Sequence, residues 1–145
     1  MNWWTAMLSA WAVAATVMAA LWWWCRRRRN AGWVDVAWSF GTGASGAFLA
    51  LAVGGLDHPR AWLVAAAAAG WGVRLGLHLS RRIAGEPEDS RYADLRARWG
   101  DAFDRRMFAF FQIQATWVVL FATPMMIAAG RPGPLDWMDG LGVVI

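Results

Sequence analysis

The sequence contains a single cysteine and no lysine, and these shortages exclude several kinds of site. Cys25 has no second cysteine to pair with, so the chain can form neither an intrachain disulfide nor a cysteine-based redox pair. Histidine occurs twice and no HExxH or CxxC spacing is present, so we expect no protein-bound metal. No glycine-rich phosphate loop, GxSxG turn or Ser–His–Asp arrangement can be read. All 14 basic residues other than histidine are arginines, a composition typical of a GC-rich bacterial genome.

Long hydrophobic runs dominate what the sequence does contain. Hydrophobic residues make up 59% of the chain. Four runs have about 20 residues or more, and at about 1.5 Å per helical residue each covers a hydrocarbon core of roughly 30 Å. The sequence therefore predicts an all-α, polytopic transmembrane helical bundle that forms a single domain over residues 1–145. The four runs are Trp3 to Cys25, Trp33 to Leu56, Ala61 to Ser80 and Met107 to Ala129.

A fifth apolar segment follows Pro132 and Pro134. Leu135 to Ile145 is about 16 Å long as a helix, roughly half of a span. We expect it to be an incomplete fifth span, which makes the domain truncated at its C-terminus. A short re-entrant or surface segment is the alternative.

The distribution of arginines predicts the orientation in the membrane. The formal net charge of +4 would suit a nucleic-acid partner, but most arginines lie in two segments, 26–29 and 81–106. The other side of the predicted bundle has only Arg60 and Arg131. This positive-inside pattern predicts a multi-pass protein of the bacterial cytoplasmic membrane with its N-terminus outside. We expect no nucleic-acid partner, and we expect residues 26–29 to contact anionic membrane lipids.

A cationic stripe runs along the third span. Arg74, His78 and Arg81 are spaced by four and three residues, so they share one helical face. An ionisable residue inside a span costs about 2.5–3.5 kcal/mol on insertion scales, which favours a function such as binding an anionic ligand. The alternative for Arg74 is that its long side chain only reaches toward the membrane surface.

The segment 81–106 is predicted to be a cytoplasmic loop that contains a short amphipathic helix. Asp89 and Ser90 are natural N-caps for a helix from about Arg91 to Trp99, with one apolar face that we expect to lie on the membrane surface. Charged and polar residues crowd the predicted mouth of the cationic stripe, where a phosphate-bearing ligand could be held. They are Glu88, Asp89, Arg91 and Tyr92.

Small residues at regular spacing indicate how the second and third spans pack. Ala37, Gly41 and Ser45 recur every four residues, and the third span has Gly72 and Gly76 at the same spacing. Such faces let helix backbones approach closely, within the chain or in an oligomer.

An acid lies near the cytoplasmic start of the second span. Asp35 suits a helix N-terminus, and across a helix pair it could also meet Arg74 or His78. A structural and a ligand-binding role therefore remain open for it.

Several of these motifs together resemble a known family. They are Asp35-Val-Ala-Trp38, Trp71-Gly-Val-Arg74-Leu, His78, Arg81-Arg82, Glu88-Asp89-Ser-Arg91-Tyr92, Leu95-Arg96 and Trp99-Gly100. The chain from about Trp33 to Ile145 resembles the N-terminal half of an uncharacterised bacterial membrane family, domain of unknown function 1295, which is related to steroid 5-alpha-reductase.

The resemblance implies a helical pocket for NADPH and a lipid-like, isoprenoid or steroid-like molecule. It implies hydride transfer to an activated carbon–carbon double bond. Arg74, Arg91 and Tyr92 would help to form the pocket, while Asp35 or His78 would orient polar groups. Much of the nucleotide-binding signature of the superfamily lies in an Arg-His-Pro-Asn-Tyr type motif, which this sequence lacks, so we expect residues 1–145 alone to be inactive and not to bind NADPH. An isoprenylcysteine-type methyltransferase that uses S-adenosylmethionine and a non-catalytic membrane assembly module are the alternatives.

Overall fold

Six α-helices form the chain in this computed structural model, which describes residues 1–144. No β-strand occurs within these residues, which confirms the all-α prediction. The predicted fifth helix is present as α6, although Ile145 at its predicted end lies outside the described residues. The helices are α1 Trp3–Arg28, α2 Trp33–Gly54, α3 Pro59–Ala84, α4 Ser90–Trp99, α5 Phe103–Ala129 and α6 Trp137–Val144.

Four candidate membrane spans confirm the multi-pass prediction. They are α1, α2, α3 and the segment Ser90–Ala129, whose long apolar part is α5. Helices α1 and α3 extend beyond the C-terminal ends of their predicted apolar runs because arginines continue them, whereas α2 ends at Gly54, before its predicted end at Leu56. Arg26 to Arg28 complete the last turn of α1, and Arg81 and Arg82 lie in the last turn of α3. Cations suit these positions because a helix C-terminus carries partial negative charge.

The connection between α3 and α5 is consequently shorter than the predicted loop 81–106. It runs over residues 85–102 and consists of a turn, α4 and one turn of 3₁₀-helix. We call the end of the bundle formed by residues 26–32 and 81–106 the arginine-rich end. The last turn of α1 is stabilised there by guanidinium groups that lie over indole rings four residues earlier. The pairs are Arg26 with Trp22, Arg27 with Trp23 and Arg28 with Trp24.

Helix α2 is central and packs against α1, α3 and α5. Its closest approach is to α3, where Gly43 and Gly72 face each other with no side chain between them. The predicted small-residue face of α3 therefore packs within the chain. On α2, however, the residue in contact is Gly43, whereas Gly41 of the predicted stripe faces Val118 of α5. Sequence spacing identified the small-residue stripe of α2. The rotation of α2 about its own axis, however, depends on its packing against α1, α3 and α5 together.

A buried arginine holds the opposite end of the bundle together. Arg60, in the first turn of α3, is only 4% exposed, and all five of its N–H donors are used. Two of them bind the carboxylate of Asp139 in α6, with nitrogen–oxygen distances of 2.8 Å for each. The others bind the backbone oxygens of Arg131, Gly133 and Pro134 at 2.6–3.1 Å. These five hydrogen bonds attach the segment after α5 to the start of α3.

Candidate functional site

The only tyrosine of the chain lies at the arginine-rich end, where its hydroxyl contacts an acid of α2. Tyr92 of α4 is 3% exposed, and its hydroxyl donates a hydrogen bond to Oδ1 of Asp35 at 3.1 Å. Asp35 is the third residue of α2, where a carboxylate also interacts favourably with the helix N-terminus. The side chain of Asp35 is 30% exposed, so this buried phenol and the carboxylate border the surface.

Helix α4 is positioned by its own apolar face. Tyr92, Leu95 and Trp99 pack against the bundle core, which includes Phe103 and Met107 of α5. The prediction that this face lies on the membrane surface is therefore wrong: the apolar face of α4 is covered by protein. The helix itself is confirmed, and it begins one residue earlier than predicted.

Arg91 connects two carboxylates. Its guanidinium binds Asp35 at 3.1 Å and Asp89 at 3.0 and 3.1 Å. Asp89 also caps α4 as predicted, because its carboxylate accepts the backbone N–H of Arg91 at 3.0 Å. The guanidinium and the N–H of Arg91 together lower the pKa of the Asp89 carboxyl. We call Asp35, Asp89, Arg91 and Tyr92 the Asp35 cluster.

Glu88 belongs to a separate structural brace. Its carboxylate receives two hydrogen bonds from Arg96 at 2.8 and 3.0 Å and one from the backbone N–H of Ala31 at 2.9 Å. Glu88 is only 12% exposed, and these contacts join the α1–α2 turn to α4. From the sequence, Arg96 was named only in the motif Leu95-Arg96, since no local spacing connects it with Glu88 or Ala31. The brace fixes α4 over the start of α2 and so supports the Asp35 cluster.

The cationic stripe lies apart from this cluster, along one side of α3. Arg74, His78 and Arg81 line a groove of about 650 Å³, which we call the α3 groove. The structure pairs Asp35 with Arg91 and Tyr92, so the predicted pairing of Asp35 with Arg74 or His78 is wrong. Sequence spacing showed that the three basic residues share a face, but it could not show which helix opposes them. The remaining lining residues are Trp71, Leu75 and Leu77.

A polar cavity of about 500 Å³ adjoins the Asp35 cluster. Its lining mixes one basic residue, Arg82, with the carboxylates of Glu86, Glu88 and Asp89. Such a lining favours neutral or cationic polar groups and repels phosphates. The other residues that line it are Asn30, Gly32, Ile83, Pro87 and Ser90.

The geometry permits a specific kind of chemistry at the Asp35 cluster. The Tyr92 hydroxyl has one proton, which it donates to Asp35 in this structure, so it can serve another oxygen on which negative charge develops only by turning away from Asp35. Arg91 balances the charge of Asp35 and keeps that carboxylate in place. No group of three or more histidine, cysteine or acidic side chains among the described residues could hold a metal ion.

These features define a multi-pass α-helical membrane protein with a polar cluster at the arginine-rich end of its bundle. The model of the family described as "Protein of unknown function (DUF1295)" matches residues 21–145, and the chain belongs to this family. The family membership implied by the resemblance is thus confirmed. No curated protein and no solved structure matches the chain.

Proposed function

We propose that this protein is an NADPH-dependent membrane oxidoreductase of the steroid 5-alpha-reductase type, to which residues 1–145 contribute the Asp35 cluster. Its substrate would be a lipid-like, isoprenoid or steroid-like molecule with a carbon–carbon double bond conjugated to a carbonyl. The observation that carries the proposal is the hydrogen bond between the buried Tyr92 hydroxyl and Asp35, at one end of a membrane-spanning bundle.

The described residues fit one part of NADPH. The polar cavity beside the Asp35 cluster suits the uncharged carboxamide of a nicotinamide ring, for which Asn30 and Ser90 offer hydrogen-bond partners. Its three carboxylates do not suit the phosphates. A cavity that suits the nicotinamide but not the phosphates agrees with the resemblance, because much of the nucleotide-binding signature of the superfamily lies in the Arg-His-Pro-Asn-Tyr type motif.

The protein residues would then hold the substrate carbonyl during reduction. NADPH, when bound, supplies the hydride. Transfer of that hydride to the carbon β to the carbonyl would place negative charge on the carbonyl oxygen, and water would supply the proton for the α carbon. Tyr92 would turn its single O–H proton from Asp35 to that oxygen as charge develops there. The ion pair with Arg91 would keep the Asp35 carboxylate in position.

The test uses protein produced from its natural gene and purified in detergent. NADPH oxidation is followed with a hydrophobic conjugated enone as substrate. Loss of one such hydrogen-bond donor costs about 10²–10³-fold in kcat, so we expect Tyr92→Phe to lose activity on that scale while it keeps its ring packing on Phe110. Asp94→Asn, an exposed acid in the same helix, is the matched control and should be unchanged.

Three outcomes would contradict the proposal. Binding of S-adenosylmethionine without any binding of NADPH would favour a membrane methyltransferase. Binding of neither compound would favour a non-catalytic assembly module. Equal activity of wild type and Tyr92→Phe would show that the Asp35 cluster takes no part in the reaction, even if the protein oxidises NADPH.

A further inference from the structure

The α3 groove combines a cationic wall with an apolar one. Arg74, His78 and Arg81 supply the basic side chains, and Trp71, Leu75 and Leu77 supply the apolar surface. Among residues 1–144, no acidic residue lines it. An anion that carries an apolar chain would therefore match both parts of the groove.

Five of the 14 arginines form an ion pair with a carboxylate within residues 1–144, and those of this groove are among the nine that do not. Arg26, Arg91 and Arg96 each contact a carboxylate within 3.1 Å at the arginine-rich end. Within residues 1–144, in contrast, neither Arg74 nor Arg81 forms an ion pair. Arg74 lies in the apolar part of a candidate span, where an arginine without a partner is costly and marks a functional site by default.

The groove opens sideways, toward the surroundings of the bundle. Trp71 and Leu77 are each 43% exposed, and the adjacent Val73 is 49% exposed. In a membrane these side chains would contact acyl chains. Arg74 and Arg81 are seven residues apart, about 10 Å along the helix axis, so the basic residues extend from the end of α3 into its apolar length.

We propose that the α3 groove binds an anionic phospholipid, with its phosphate held by Arg74, His78 and Arg81 and an acyl chain along Trp71 and Leu77. Guanidinium groups bind phosphate oxygens in a bidentate manner, and histidine adds a further donor. A lipid fits better than a water-soluble phosphate compound because the groove is open on its apolar side and enters the span. This proposal is independent of hydride transfer at the Asp35 cluster.

Lipid binding to the purified protein in detergent tests the proposal. Phosphatidylglycerol and phosphatidylcholine are titrated separately, and bound lipid is counted by native mass spectrometry. We expect phosphatidylglycerol to bind more tightly than phosphatidylcholine. Loss of a hydrogen bond to a charged group should raise the Kd of Arg74→Gln for phosphatidylglycerol about 10–100-fold. Arg74→Lys keeps the charge but loses the bidentate geometry, so its Kd should rise by a smaller factor.

Arg105→Gln is the matched control, because it removes the same charge from an exposed position outside the groove. An equal loss of affinity in Arg105→Gln and Arg74→Gln would overturn the proposal, since it would indicate general attraction to a basic surface. Equal binding of the two lipids would also overturn it. Displacement of phosphatidylglycerol by inorganic phosphate or NADPH at comparable concentration would show that the occupant is a soluble phosphate compound instead. If Arg74→Gln does not fold, Arg81→Gln and Arg74→Lys provide the same comparisons.

Discussion

Substitution of Gly72 by alanine probes the closest helix contact of the fold. A Cβ atom at Gly72 would lie 2.7 Å from Cα of Gly43 and 3.0 Å from the backbone oxygen of Ser39. Both neighbours are backbone atoms of α2, so no side-chain rotation can relieve the clash. The two helices would have to separate, since ordinary contacts of a Cβ atom are 3.4–4 Å.

The expected cost follows from two opposing effects. Overpacking of a close contact typically costs about 1–3 kcal/mol. Alanine in a helix interior is favoured over glycine by about 0.5–1 kcal/mol, which offsets part of that cost. We therefore expect Gly72→Ala to lower the free energy of unfolding by about 1–2 kcal/mol.

Helix α3 contains two internal controls for this prediction. A Cβ atom at Gly70 would meet nothing within 4 Å, so Gly70→Ala should be neutral or slightly stabilising. A Cβ atom at Gly76 would lie 2.6 Å from the ring of Phe40, which is 37% exposed and can move, so Gly76→Ala should be intermediate. Unfolding in mixed micelles with increasing dodecyl sulfate measures all three variants. Equal stability of Gly72→Ala and Gly70→Ala would refute the close approach of α2 and α3.

Three further predictions concern orientation and charge. In an otherwise cysteine-free chain, Asp94→Cys should be labelled from the cytoplasm and Asp57→Cys from outside, and the reverse labelling would contradict the positive-inside interpretation. The hydrogen bonds from Arg60 lower the pKa of Asp139, so the stability that this pair contributes is present above the unfolded-state pKa of about 3.9 and is lost as the pH falls further. The difference in melting temperature between wild type and Asp139→Asn should therefore shrink below about pH 4, and a constant difference would exclude this linkage. Arg26→Gln should cost no more than about 1 kcal/mol in chemical unfolding because its ion pair with α5 is exposed, and a loss of twice that size would be inconsistent with a surface pair.

The sequence alone determined the features that depend on local composition and on the spacing of residues along a helix. The apolar runs predicted the four spans, because a membrane-spanning helix needs a nearly continuous hydrophobic stretch. The sequence also predicted the start of α4 to within one residue and offered Asp89 as one of two caps, since a cap contacts residues only two or three positions away. The same holds for Arg74, His78 and Arg81, whose common face follows from helical spacing.

Only the tertiary structure decided which distant residues meet. Asp35 is 57 residues from Tyr92 and Arg60 is 79 residues from Asp139, and no periodicity connects such positions. The apolar face of α4 could equally have covered lipid or protein, because both surroundings bury the same side chains. The packing of α2 against α3 through Gly43 instead of the predicted stripe has a similar cause: a central helix has small residues on several faces, and its three neighbours together determine how it is rotated.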